Sequence, residues 1–345
     1  MDPDCTKPSA LRRVVVLGAG ALGSLLGGKF AAVLPVALVG RKGHLEAIRT
    51  AGLRISGLSK LTLGTGANLA LAENLAELQP PLSAGDVILL AVKAQQAADA
   101  ARALSEAVEK IDARWPLPVY ALQNGTGFEE PLRANLSNAF ALYHAVSHVG
   151  AAFVAPGHVE DWGGEILLPN DACSHALAEA FRQAHIKARC LADLEIWRWK
   201  KIAFNCALNP LGAILEARNK DTLRAELRPL LRAVLGEVRV EAAARGLRLP
   251  TVNDLLAEFE QRAGASNNVN SMWQDILARK PTELSFLNAA ILSLARARGN
   301  DTPANATLTA WIRRLEESPN AQTQKELREK AVLELTALAA ALPAR

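Results

Sequence analysis

The pattern of apolar and polar positions changes character partway along the 345-residue chain. In the first part, short apolar runs alternate with helical patterns. Residues 13–17 (RVVVL), 35–39, 86–92 (DVILLAV) and 117–122 are strand-length apolar runs, as expected of parallel strands covered on both faces. The small-residue stretch after residue 17, residues 44–50 with Gly52 as a stop, and residues 95–111 carry helical patterns. Residues 53–66 alternate between glycines and predict strands and turns, and 140–154 and 158–168 predict extended chain. Beyond about residue 190 the period-2 signal disappears. Helical patterns then cover 194–215, 221–246, 251–263, 282–298, 303–317 and 322–341. The expected fold is α/β: a doubly wound, mainly parallel sheet over 1–190, its first ten polar residues disordered, followed by an all-α domain over 191–345.

Composition narrows the function classes. Half the residues are hydrophobic, 21% are charged and the net charge is +4 with no long basic block, which argues against a nucleic-acid partner. A mild positive balance suits a small anionic substrate and a phosphorylated cofactor. The cysteines Cys5, Cys173, Cys190 and Cys206 lie far apart, and the six histidines are dispersed. No metal site is expected, and the thiols read as reduced. The N-terminus lacks an apolar secretory core and no run is long enough to span a bilayer, so a cytoplasmic protein without a membrane partner is expected. A homodimer is compatible with the sequence.

Directly after the first strand comes Gly18-Ala19-Gly20-Ala21-Leu22-Gly23, or GxGxxG, opening a helix. In that context it reads as the dinucleotide fingerprint of a Rossmann domain. Gly18 makes the tight turn, Gly20 admits the pyrophosphate, Gly23 lets helix and strand pack closely, and the helix N-terminus binds the phosphates. A plain strand–turn–helix is the alternative. The second strand ends in Gly40-Arg41-Lys42, where an NAD site places an acid. A guanidinium at Arg41 can grip a 2′-phosphate, so NADPH/NADP is the expected cofactor, with solvated turn residues as the alternative.

In the helical part, Lys201, Asn205 and Asn209 fall at i, i+4 and i+8 and share one face of a helix whose other positions are largely apolar. Glu283, after Pro281-Thr282, reads on its own as an acid at a helix start. Lys93 and Asn124 follow strand ends, where open α/β sheets bind ligands. Each is equally compatible with a surface residue or a plain turn.

Taken in order, LGAGALG, VGR, AVKAQQ (91–96), LQNGTG (122–127), WKKIAFNCALNPLGAI (199–214) and NSMWQDILARKPTELSFLN (270–288) resemble the ketopantoate reductase family over residues 12–300. The resemblance implies NADPH-dependent reduction of ketopantoate to pantoate in pantothenate biosynthesis. The family's W-x-K spacing from Trp199 selects Lys201 over Lys200 as general acid. By resemblance, Glu283 binds a substrate hydroxyl and tunes Lys201, Asn205 and Asn209 hold hydroxyls, and Ser271 binds the carboxylate of the 2-oxo acid. Lys93 and Gln96 would lie near the cofactor, and Asn124 near the nicotinamide ribose and substrate. Three features depart from the family pattern: the charged, indole-bearing 158–163, Lys280-Pro281 before the glutamate, and the extension 318–345. They leave open a paralogous reductase of another branched 2-oxo acid. An NADP-binding regulatory protein is the other alternative, although it has no need of a general acid.

Overall fold

The computed structural model describes residues 11–66, 68–108 and 116–342; the disorder expected for 1–10 and the end of the 95–111 helix fall outside them. The chain divides into two compact units. Met1–Gln123 with Phe128–Leu194 make the first, and Asn124–Gly127 with Glu195–Arg345 make the second. Four residues of the loop after the 117–121 strand therefore group with the helical unit.

The first unit opens with β1 (Arg13–Leu17), α1 (Ala21–Ala31), β2 (Val36–Val39) and α2 (Lys42–Ala51). It continues through β3 (Leu53–Gly57), β4 (Leu61–Leu63), β5 (Leu69–Ala72), β6 (Asp86–Leu90), α3 (Ala97–Ala107) and β7 (Leu117–Ala121). Then come α4 (Glu129–Asn135), β8 (Phe140–His144), β9 (Val146–Ser147), β10 (Gly150–Ala155) and β11 (His158–Gly163). The unit closes with β12 (Glu165–Pro169), α5 (Ala172–Gln183) and β13 (Lys187–Leu191).

The main sheet has six parallel strands in the order β5-β2-β1-β6-β7-β8. Chain order reverses between β1 and β6, so their carboxyl ends form the switch point where such sheets bind ligands. β1, β2 and β6 are buried along their whole length, which matches their continuous apolar runs. The register of β1 on β6 is pinned at the far end, where Arg13 opposes Asp86 and donates to its carboxylate at 2.9 and 2.5 Å. At the carboxyl end the Gln123 amide donates to the Leu90 and Val92 carbonyls, each at 3.0 Å. Two smaller sheets, β10-β11-β3-β4 and β13-β12-β9, complete the unit.

The second unit is helical: α6 (Leu194–Leu215), α7 (Arg228–Ala243), α8 (Val252–Gly264), α9 (Ser271–Leu277), α10 (Asn288–Arg296), α11 (Pro303–Glu316) and α12 (Ala321–Ala341). Ile202, Ala203, Cys206, Leu211 and Ile214 of α6 are buried in one apolar cluster with residues of the helices that follow. Each large aliphatic side chain in it contributes roughly 1.5–3 kcal/mol by burial. No helix among the described residues is long and apolar enough to cross a membrane.

Two expected helices are shorter than their patterns. The 221–246 pattern holds two single turns of 3-10 helix before α7 starts at Arg228, with a proline in its first turn and so no N–H lost to the ladder. The 282–298 pattern is broken at Leu287, whose φ of −114° and ψ of −111° leave helical geometry, next to Phe286, whose carbonyl accepts from Thr126 N–H at 2.8 Å; α10 begins only at Asn288.

Candidate active site

The glycine turn and its surroundings belong to the first unit. Gly18 has φ +113°, and a Cβ there would stand 2.6 Å from Val92 N, so the turn runs hard against the end of β6. A Cβ on Gly23 would lie 2.0 Å from the Gly18 carbonyl oxygen, which explains the close return of α1 onto the turn. Gly20 differs, because a Cβ on it would meet no protein atom within 4 Å. The fold does not require glycine at that position, but a ligand lying across the turn would. Gly20 caps α1 without a side-chain hydrogen bond, and no acid stands in the first turn. Ala21, Leu22 and Gly23 therefore begin a helix whose N-terminal dipole is not neutralised by a carboxylate.

The second strand delivers Arg41 beside this turn, since a Cβ on Gly40 would lie 2.3 Å from Ala19 Cβ. Arg41 is exposed as the N-cap of α2. The nearest acid, Glu46, is engaged by Arg49 at 2.9 Å. Lys93 follows Val92 at the end of β6 and caps the 3-10 turn Ala94–Gln96, in which Gln96 is exposed. An open glycine turn, an uncapped helix start and a cation at the second strand end fit a pyridine dinucleotide.

The second unit gathers the other set. On α6, Lys201 and Asn205 are half-buried and Asn209 is buried along one face. Lys200 is committed elsewhere. Its Nζ lies 2.7 Å from Glu258 and 4.3 Å from the centre of the Trp197 ring. Burial pushes the Lys201 ammonium down to about 8, against an opposing upward pull from Glu283. Glu283 is itself buried, and its Oε2 accepts from Asn124 Nδ2 at 2.9 Å. Asn124 is brought there by the loop it begins: Thr126 N–H bonds Phe286 O, and a Cβ on Gly125 (φ +88°) would fall 1.9 Å from that oxygen. Glu283 stands at a helix start, directly before the 3-10 turn Leu284–Phe286, while Thr282 Oγ1 accepts from Leu284 N–H at 3.1 Å. Glu283 makes no capping bond.

Ser271 is the first residue of α9. Its position depends on Asn270, which sequence reasoning missed. Asn270 Oδ1 accepts from Trp273 N–H at 3.0 Å, while its Nδ2 faces the Leu208 carbonyl at 3.5 Å and sits over Gly212, where a Cβ would be 1.9 Å away. The start of α9 is thus seated on α6 beside Asn209. Asparagine directly before a short helical run was the available signal. Lys201, Asn205, Asn209, Ser271, Glu283 and Asn124 thus all lie in the second unit, and the glycine turn, Arg41, Lys93 and Gln96 in the first. Among the described residues no group of three or more acidic, histidine or cysteine side chains is placed to hold a metal ion.

Such a second unit can hold a small polar molecule between amides and a carboxylate and give or take one proton at Lys201. Comparison with known proteins shows the family. The family model described as ketopantoate reductase PanE/ApbA matches residues 14–167, and its C-terminal counterpart matches 193–316. A 2-dehydropantoate 2-reductase of Pyrococcus horikoshii is 31% identical over 321 residues, which are 87% of this chain and 96% of the relative. The crystal structure of a PanE/ApbA family ketopantoate reductase from Ralstonia eutropha JMP134 superposes with a TM-score of 0.77 at 27% identity, over 91% of this chain and 99% of that one. D-mandelate dehydrogenase in a ternary structure with NADH and anilino(oxo)acetate has the same fold, with a TM-score of 0.77 at 21% identity, over 91% of this chain and 99% of that one. The chain belongs to the ketopantoate reductase family of oxidoreductases.

Proposed function

We propose that this protein is an NADPH-dependent 2-dehydropantoate 2-reductase in which Lys201 is the general acid. The observation that carries the reading is geometric: Lys201 shares one helix face with Asn205 and Asn209 in the unit where Asn124 orients the buried Glu283 carboxylate, and burial pushes the Lys201 ammonium down to about 8. Cofactor binding is assigned to the first unit and proton chemistry to the second. A dinucleotide held by its pyrophosphate at the glycine turn would supply the hydride from its reduced nicotinamide.

The chain's own residues do the rest. Ala21, Leu22 and Gly23 offer backbone N–H groups to the pyrophosphate, Arg41 meets the 2′-phosphate, and Lys93 and Gln96 border the same strand ends. Ser271 takes the substrate carboxylate, while Asn205 and Asn209 hold its oxygen functions. As negative charge grows on the carbonyl oxygen, Lys201 Nζ stabilises it and releases a proton to it. An ammonium near 8 is protonated at neutral pH yet gives its proton more readily than a free lysine. Glu283 favours the charged form before transfer, and water restores the proton afterwards.

NADPH oxidation by the purified protein tests this, with ketopantoate set beside other branched and aromatic 2-oxo acids and NADPH beside NADH. Highest kcat/KM for ketopantoate with NADPH is expected. A stronger response to another 2-oxo acid would make the protein a paralogous reductase. NADPH binding without turnover on any substrate would make it a regulatory protein.

A further inference from the structure

We infer that Asn288 is a positioning residue for this reaction: its side-chain amide replaces the backbone donor that Pro210 removes from α6, and so holds the helix bearing Lys201 in register with the segment bearing Glu283. The inference rests on the reading of Lys201 as the acid.

Pro210 lies inside α6, and the helix runs on past it to Leu215. A proline has no N–H, so the carbonyl four residues earlier, that of Cys206, loses its helical partner. Asn288 Nδ2 donates to that oxygen at 2.8 Å. The side chain is fully buried, so the bond is sheltered from water. Its other N–H goes to Asn305 Oδ1 at 2.9 Å, and Asn305 Nδ2 donates in turn to Glu237 Oε2 at 2.7 Å. Glu237 is fixed by the start of α11, accepting from the Ala304 and Asn305 N–H groups at 2.9 Å each.

The polarity of this relay is set at both ends. A carbonyl can only accept, so Asn288 must turn its NH₂ toward Cys206, Asn305 must offer its oxygen to Asn288, and the carboxylate of Glu237 must receive. Asn288 Oδ1 is left buried without a donor among the described residues. An orphaned amide oxygen is a cost that an apolar residue would avoid, and keeping the donor on Cys206 accounts for it.

The relay matters for chemistry because of what it joins. Cys206 neighbours Asn205 on the catalytic helix. Asn288 closes a short segment that starts at Glu283 and is held midway by the bond from Thr126 N–H to Phe286 O. The helix bearing Lys201 and the segment bearing Glu283 are therefore tied through one amide.

A double-mutant cycle between Asn288→Ala and Pro210→Ala tests this, because alanine at 210 returns an N–H to Cys206. Lys201 is followed by NMR of ¹³C-labelled lysine, a readout independent of turnover, alongside kcat. In the natural background Asn288→Ala is expected to lower kcat about tenfold and to raise the Lys201 titration, since burial is the larger influence on it. With Pro210→Ala present, the same substitution is expected to cost less than about threefold and to leave the titration near 8. Should Asn288→Ala alone fail to fold, recovery of folding in the double variant supports the relay, and continued unfolding overturns it. Equal losses in both backgrounds with an unmoved Lys201 titration would also overturn it. Full activity in Lys201→Ala would instead defeat the general-acid reading, while the titration would still report the positioning.

Discussion

Asn124 donates its amide to Glu283 Oε2 at 2.9 Å, although 159 residues separate them in the chain. The bond fixes which way the carboxylate faces and gives one of its buried oxygens a donor. Two consequences can be measured.

Replacing Asn124 by Asp exchanges a donor for a second carboxylate at hydrogen-bond distance. Two such groups cannot both ionise at neutral pH. The variant is expected to lose roughly 10- to 100-fold in kcat/KM for the 2-oxo acid, about 1.4–2.7 kcal/mol, while the Kd for NADPH moves much less. Steady-state kinetics with a parallel fluorescence titration of NADPH measures both quantities.

That bond also shows where the sequence was legible and where it was not. The glycine turn, the strand Arg13–Leu17 and the polar face of α6 were readable because each is local: a run, a spacing, a helical period. The ion pair of Lys200 with Glu258, which removes that lysine from contention, joins two helices and has no local signature. β5 (LALA), an edge strand of four residues, has no β-branched residue to mark it, and α4, α5, α9 and β13 were equally missed. Asn288 looks like a polar interruption in an apolar helix. Its one advance signal was Pro210, since a proline within a helical pattern leaves a carbonyl that must find a donor elsewhere.

Arg41 sets a test of cofactor choice. Arg41→Ala removes the guanidinium proposed to meet a 2′-phosphate, a group that NADH lacks. The Kd for NADPH is expected to weaken roughly 10- to 100-fold, as for loss of a charge-assisted contact, with that for NADH within about threefold. Equal effects on the two cofactors would remove Arg41 from that role.

His44 links α2 to α1 through Ser24. Gly157 N–H donates to its Nδ1 at 3.0 Å, so the proton sits on Nε2, which faces Ser24 Oγ at 2.9 Å. Burial lowers its pKa below 6.5. A protonated ring would turn an N–H toward the N–H of Gly157. Because the folded form resists protonation, the unfolded chain takes up the proton first. The stability His44 confers is present above about pH 6.5 and is lost as the pH falls below it. Urea midpoints measured from about pH 7.5 down to 5 should decline more steeply for the natural protein than for His44→Gln.

Lys201 burdens the fold in the same sense as His44, but over a higher pH range. Its folded value of about 8 lies below the ordinary 10.5, so the folded protein sheds this proton first. Relative to Lys201→Met, the natural protein is expected to gain up to about 3 kcal/mol between about pH 8 and 10.5. Over the lower part of that range kcat for reduction should fall tenfold per pH unit, because the acid is being lost.

The rate of hydride transfer in a single turnover of Lys201→Ala, read from NADPH absorbance with ketopantoate in excess, tests the account most directly. A loss of roughly 10²- to 10⁴-fold, with NADPH affinity within about threefold of the natural protein, is the predicted result. A rate equal to that of the natural protein would contradict it.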